Sequence, residues 1–194
     1  IAKHTGAEAG LVVAGASTGM MLEAAAAMAG KDPAKIARLP NTEGMKNELV
    51  VKWNHNIEFV QCWRQAGAKL VWVGSTHGAQ EWEIEAAVNE KTAAFGFVAS
   101  RHLPDSFDSL DQMVRLGHKH NLPVIVDAAA MLPPVENLRQ FIEHGADMVT
   151  YSGGKALKAP QSTGILCGRN DLIEAAALNN SPNMSIGRPA KVCR

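Results

Sequence analysis

A chain of 194 residues, 46% hydrophobic and 20% charged, has the length and composition of one globular domain with a sizeable core, which excludes disordered and fibrous classes. Nineteen basic residues balance nineteen acidic ones, so no global positive field draws the chain to nucleic acid or an acidic membrane surface. The three cysteines, Cys62, Cys167 and Cys193, follow neither metal-ligand nor disulfide spacing, and no apolar run approaches a membrane span, so a reducing, cytoplasmic setting without a metal is expected. The chain starts at IAKHTG without methionine and stops at GRPAKVCR before any closing helix, so residues 1–194 are expected to form one domain of a longer protein.

In chain order, GLVVAG (10–15) reads as a helix end or a short strand, and the Ala/Met-rich run 17–28 as a helix ended by Gly30. LVV (49–51) is a short strand, 57–65 a helix closed by Gly67, and KLVWVG (69–74) a second strand. A helix over 81–89 precedes the strand TAAFGFVAS (92–100), and a helix over 109–120 precedes PVIVDAAA (123–130), a near-continuous apolar strand of the kind buried on both faces of a parallel sheet. A helix over 135–144 leads to GADMVTYSGG (145–154), whose alternating apolar residues with Val149, Thr150 and Tyr151 mark a short buried strand. STGILCG (162–168) is a last strand before a helix over 171–178. Alternation without repeats or a linker predicts one α/β unit, an open doubly wound and mostly parallel sheet with helices on both faces.

Ligands of such sheets sit at the carboxyl ends of the strands, and Asp127 and Lys155 both fall there. A buried carboxylate needs a cationic or hydrogen-bonding partner, and a lysine in a desolvated site can form a Schiff base. Pyridoxal 5′-phosphate satisfies both, its aldehyde meeting the lysine and its protonated ring nitrogen the aspartate. From these two residues alone, a loop-capping Asp127 and a solvated Lys155 explain the pattern equally well. The glycines Gly153 and Gly154 allow tight or left-handed backbone and let another group come close.

GASTG (15–19) opens a helix whose backbone N–H groups, with the hydroxyls of Ser17 and Thr18, can hold an anion. The same residues match G-x-S-x-G, the nucleophile elbow of serine hydrolases, which would make Ser17 a nucleophile. That elbow needs preceding strands for its oxyanion hole, and about fifteen residues precede it here. A Walker A reading of Lys155 fails because Val149 holds the place of the first glycine and Ala156 that of the Ser/Thr.

VDAAAMLPP (126–134) followed by GADMVTYSGGKALKAPQSTGILCGR (145–169) resembles the core of fold-type I pyridoxal-phosphate enzymes, the PLP-dependent transferase-like large domain, and within them the selenocysteine synthase-like group. That group includes the L-seryl-tRNA(Sec) selenium transferases and the D-glucosaminate-6-phosphate ammonia-lyases. The likeness spans nearly the whole chain, and SGGKALKAPQSTG (152–164) is its most specific part. It implies that Lys155 carries the cofactor as a Schiff base, that Asp127 pairs with the pyridine nitrogen, and that Ser17 and Thr18 contact the phosphate. It also implies a stacking role for His55, which could equally cap the next helix, and a small Ala129 beneath the ring, with Ser152 beside it. Gln161, Ser162 and Thr163 are then expected to reach a phosphate across a subunit boundary, since such sites are shared in a homodimer or higher homo-oligomer. A carboxyl-terminal small domain that closes over the substrate is implied beyond this chain.

The chain departs from the selenium transferases, which resemble SGDK where this sequence has Gly154, and which carry an arginine-containing run where it has WNHN (53–56). The resemblance therefore favours the lyase branch over tRNA chemistry: α,β-elimination on a hydroxy amino acid, a small molecule such as D-glucosaminate 6-phosphate, giving ammonia and a 2-keto acid. Seryl-tRNA selenium transfer is the alternative. Arg101, His102, Lys158 and Arg188, cations in loops, are candidates for a substrate phosphate, or else solvated surface charges.

Overall fold

The computed structural model describes residues 1–101 and 107–190. Strands β1 (Ala9–Val13), β2 (Glu48–Lys52), β3 (Lys69–Val73), β4 (Thr92–Val98), β5 (Val124–Asp127), β6 (Met148–Ser152) and β7 (Gly164–Gly168) form a seven-stranded sheet of order β1-β7-β6-β5-β4-β2-β3. β3, β2, β4, β5 and β6 run parallel, and β7 is antiparallel to both its neighbours, β6 and β1. The expected strands are thus all present, and GLVVAG resolves as the edge strand β1. The central parallel strands β4 and β5 are almost wholly apolar because both of their faces are covered: every residue of each is buried.

Helices α1 (Ala2–Thr5), α2 (Gly15–Ala29), α3 (Pro33–Arg38), α4 (Gln61–Gln65), α5 (Glu81–Ala87), α6 (Phe107–Lys119), α7 (Asn137–Glu143) and α8 (Asn170–Leu178) complete the unit. One apolar cluster gathers α2, α3, α4 and α8 on one face of the sheet, and another gathers α5, α6 and α7 on the other. α2 crosses β5, β6 and β7 with α4 and α8 packed beside it, so it is buried on almost every side and needs the small, round-the-axis Ala/Met composition it has. α3 was not expected, although Asp32 caps it by accepting from Ala34 N at 2.9 Å and Pro33 occupies its first turn. The expected helix over 57–65 is broken instead into a 3₁₀ turn, Glu58–Val60, followed by the short α4, and a second 3₁₀ turn, Trp53–His55, follows β2.

At the amino ends of the parallel strands, the buried Asp147 accepts from Val124 N at 2.8 Å and Arg169 Nη1 at 3.0 Å and pairs with His118 Nε2 at 2.9 Å. This ties β5, β6 and β7 together at the rim opposite the one that carries Asp127. No helix among the described residues is long and apolar enough to cross a membrane.

Candidate active site

A cavity of about 350 Å3 opens over the carboxyl ends of β4, β5 and β6, walled by the first turn of α2 and by the segment after β2. Asp127, Ala129, Ser152, Lys155 and Ser17 all line it, so topology brings these expected residues together at one rim. Asp127 ends β5 and is 5% exposed. Its Oδ1 accepts the Ala129 amide at 2.9 Å in a tight local turn. Burial pushes its carboxyl above the usual aspartate range, while the Ala129 amide and the charge of Lys155 pull it back. A buried acid on a cavity wall is the surrounding in which a protonated ring nitrogen would offset the desolvation.

Lys155 lies in the turn that follows β6 and lines the cavity from an exposed position, rather than from the desolvated one the sequence suggested. The glycine pair before it serves close approach and not left-handed backbone, since neither has positive φ. A methyl on Gly153 would stand 2.3 Å from Thr163 Oγ1, and one on Gly154 2.7 Å from Gln161 Cα. Residues 160–163 therefore fold tightly over the lysine turn, with Gly153 N donating to Thr163 O at 2.8 Å. Gln161 reaches the cavity; Ser162 and Thr163 do not line it, and the Thr163 hydroxyl donates instead to Pro160 O at 2.6 Å.

Opposite, Gly15 at φ 83 turns the chain into α2, whose amino end has no side-chain cap and no acid in its first turn. Uncapped N–H groups at the positive end of a long helix, beside Ser17, suit a phosphate. The Thr18 hydroxyl is turned elsewhere: it donates to Ala14 O at 2.8 Å, and Thr18 does not line the cavity. One helical step rotates a side chain by about 100°, enough to turn it away. The uncapped helix end and the buried acid thus fit the two ends of pyridoxal phosphate.

His55 is fully buried, packs edge-on against Phe97 at 4.6 Å, accepts from Val98 N through Nδ1 at 3.2 Å, and does not line the cavity. The aromatic ring at the cavity is Phe59, 54% exposed, beside Ile57. Sequence reading missed it because it assigned 57–65 to a helix. Of the cation candidates, Arg101 and Lys158 are exposed and away from the cavity wall, Arg188 is exposed and donates to the Pro182 carbonyl, and His102 lies outside the described residues. The serine-hydrolase alternative needs a histidine base at Ser17, and among the described residues lining the cavity there is none.

The family described as SelA, L-seryl-tRNA selenium transferase, matches residues 1–182. The chain is 38% identical to D-glucosaminate-6-phosphate ammonia lyase of Salmonella typhimurium over 99% of its own length and 51% of that protein's. It is 37% identical to 5′-C-glycyluridine monooxygenase-decarboxylase of a Streptomyces species, over 99% of this chain and 48% of that one, and 29% identical to L-seryl-tRNA(Sec) selenium transferase of Mannheimia succiniciproducens, over 77% and 36%. The solved structure of a D-glucosaminate-6-phosphate ammonia-lyase superposes with a TM-score of 0.89 at 37% identity, covering 99% of this chain and 51% of that one. The chain thus spans about half the length of the relatives it matches. Pyridoxal phosphate is the cofactor of the family and of the ammonia-lyase relatives.

Proposed function

The chain belongs to the SelA family of pyridoxal-phosphate enzymes, and we propose that it is the cofactor-binding large domain of a longer ammonia-lyase acting on a phosphorylated hydroxy amino acid. The observation that carries this reading is the pairing, in one cavity, of buried Asp127 with the Lys155 turn opposite the uncapped amino end of α2. Likeness to a D-glucosaminate-6-phosphate ammonia lyase over 99% of this chain supports that branch. Gly154, where the transferases carry an acid, weighs against seryl-tRNA as substrate.

When bound, such a cofactor supplies a carbonyl for an amine and a sink for the electron pair left at the substrate α-carbon. Lys155 Nζ would hold the cofactor and, once a substrate amine had taken its place, would be free to act as base on the substrate α-proton. Asp127 would hold a proton at the ring nitrogen, which would strengthen that sink. Ser17 and the first amides of α2 would hold the phosphate, while Phe59 and Ile57, on the cavity lining, would exclude water. Loss of the β-hydroxyl as water leaves an enamine, and its tautomer takes up one water to give ammonia and a 2-keto acid. Assembly into a homodimer or larger homo-oligomer belongs to the same proposal.

The test is incubation of the full-length protein with D-glucosaminate 6-phosphate and pyridoxal phosphate. Ammonia and keto acid in equal amounts are expected. Selenocysteinyl product from seryl-tRNA and selenophosphate, with no keto acid from any amino sugar acid, would reverse the assignment.

A further inference from the structure

Glu23 is the one acid in α2, and it is fully buried in a stretch that is otherwise Ala, Met, Leu, Gly, Ser and Thr. Taking a carboxyl out of water is costly unless it is well hydrogen-bonded, so its presence there asks for a reason. Its contacts supply one. Glu23 Oε1 accepts from Thr150 Oγ1 at 2.7 Å and Oε2 from Trp63 Nε1 at 3.1 Å, every partner fully buried. Thr150 stands in register beside Asp127 across β5 and β6, its carbonyl accepts from Ala128 N at 2.9 Å, and two residues later β6 delivers Ser152 to the cavity.

One turn nearer the cavity, Gly19 lets α2 press onto the same threonine: a methyl there would stand 2.6 Å from Thr150 Cγ2. An Ala/Met helix has low ridges and so a weakly specified height and rotation on a sheet. We propose that Glu23 is a positioning residue of the cofactor site, its two hydrogen bonds fixing α2 on β6 so that the Gly15–Ser17 turn stands at a set height over Asp127.

The proposal rests on reading the cavity as the pyridoxal phosphate site. Burial raises the Glu23 carboxyl well above the ordinary glutamate range, the bonds to Thr150 and Trp63 oppose this, and the charge of Asp127 adds to it. The titratable groups around it are Asp127 on β5, Cys62 on α4 and Cys167 on β7. Burial raises both neighbouring carboxyls, and Glu23, 0% exposed against 5% for Asp127, is the deeper of the two. A glutamine can keep both contacts, its Oε1 accepting from Trp63 Nε1 and its amide N–H donating to the Thr150 hydroxyl, which then accepts instead of donating.

The test measures pyridoxal phosphate affinity by absorbance titration, with melting of the apo protein, for wild type, Glu23→Gln, Glu23→Leu and Thr150→Val in the full-length protein. Glu23→Gln should bind within about twofold of wild type, and Glu23→Leu roughly tenfold more weakly, the scale of a lost buried hydrogen bond. Thr150→Val, which removes one hydroxyl and keeps the side-chain shape, should also weaken binding. Wild-type affinity in the folded fraction of Glu23→Leu and in Thr150→Val, whatever their melting temperatures, would overturn the proposal. So would a Glu23→Gln as weak as the leucine variant. Failure of the wild-type protein to take up the cofactor would overturn the site reading itself, and this inference with it.

Discussion

Gly154 and Gln161 are in contact through their backbones: a methyl on Gly154 would lie 2.7 Å from Gln161 Cα and 2.9 Å from its carbonyl oxygen. The residue before Lys155 is therefore small because the chain itself returns over it. Gly154→Ala should cost about 1–3 kcal/mol, the scale of overpacking against backbone. Gly154→Asp, the transferase-like acid, should cost at least as much and should also weaken cofactor binding, because Gln161 lines the cavity. Thermal denaturation and absorbance titration check both; unchanged values would mean that residues 160–163 yield easily.

Borohydride treatment of the cofactor-loaded protein, followed by peptide mapping, should place the reduced adduct on Lys155. Lys158, exposed, held at φ 52 and outside the cavity lining, should stay unlabelled. Lys155→Ala should retain cofactor only non-covalently and lose turnover.

Asp127→Ala removes the buried carboxyl at the cavity and should keep some cofactor while slowing elimination by about 100-fold or more, the scale of losing a group that stabilises charge in the transition state. Single-turnover absorbance on the loaded variant measures it. Wild-type rates would separate Asp127 from the ring nitrogen.

Phe59 and His55 should respond in opposite ways. Phe59→Ala, at an exposed position on the cavity, should weaken cofactor binding up to about tenfold through loss of an aromatic contact and leave the melting temperature nearly unchanged. His55→Ala, in a fully buried site, should destabilise the apo protein by about 1–3 kcal/mol, since it strips the Val98 amide of its acceptor. If His55→Ala alone weakened the cofactor, the ring over it would be the histidine.

The stability of the apo protein should fall with rising pH through Glu23. An unfolded glutamate ionises near 4.5 and the folded one at a higher value, so across that interval the folded state holds the extra proton. The contribution is complete below 4.5 and is lost as pH climbs through the folded value. Glu23→Gln lacks this loss, so its melting temperature minus that of wild type should grow with pH over the interval. A constant difference would mean that Glu23 ionises normally.

Asp127 and Lys155 were legible because periodicity locates strand ends and parallel topology puts those ends on one rim. Ser17 was legible from the same rule applied to a helix start. Thr18 fell out because adjacent helical residues point apart, which a motif written as letters does not encode. His55 was expected at the cavity because it follows β2, but the 3₁₀ turn Trp53–His55 sets its ring inward, and Phe59 was overlooked because a 3₁₀ turn, Glu58–Val60, replaces the start of the expected helix. The loop cations carried no periodic signal, so nothing in the sequence placed them. Glu23 did carry one, a lone acid in an Ala/Met helix buried on nearly all sides, but its partners Thr150 and Trp63 are far away in the chain and only the fold joins them.

The antiparallel strand β7 sits between β6 and β1, and among the described residues β1 pairs with it alone, Ala9 opposite Gly168. During synthesis β1 thus emerges well before that partner. It must wait until residues 164–168 leave the ribosome, by which time the parallel core from β2 to β6 can already have formed. Pausing translation just before residue 164 should therefore leave residues 9–13 open to protease while the β4–β5 region is protected.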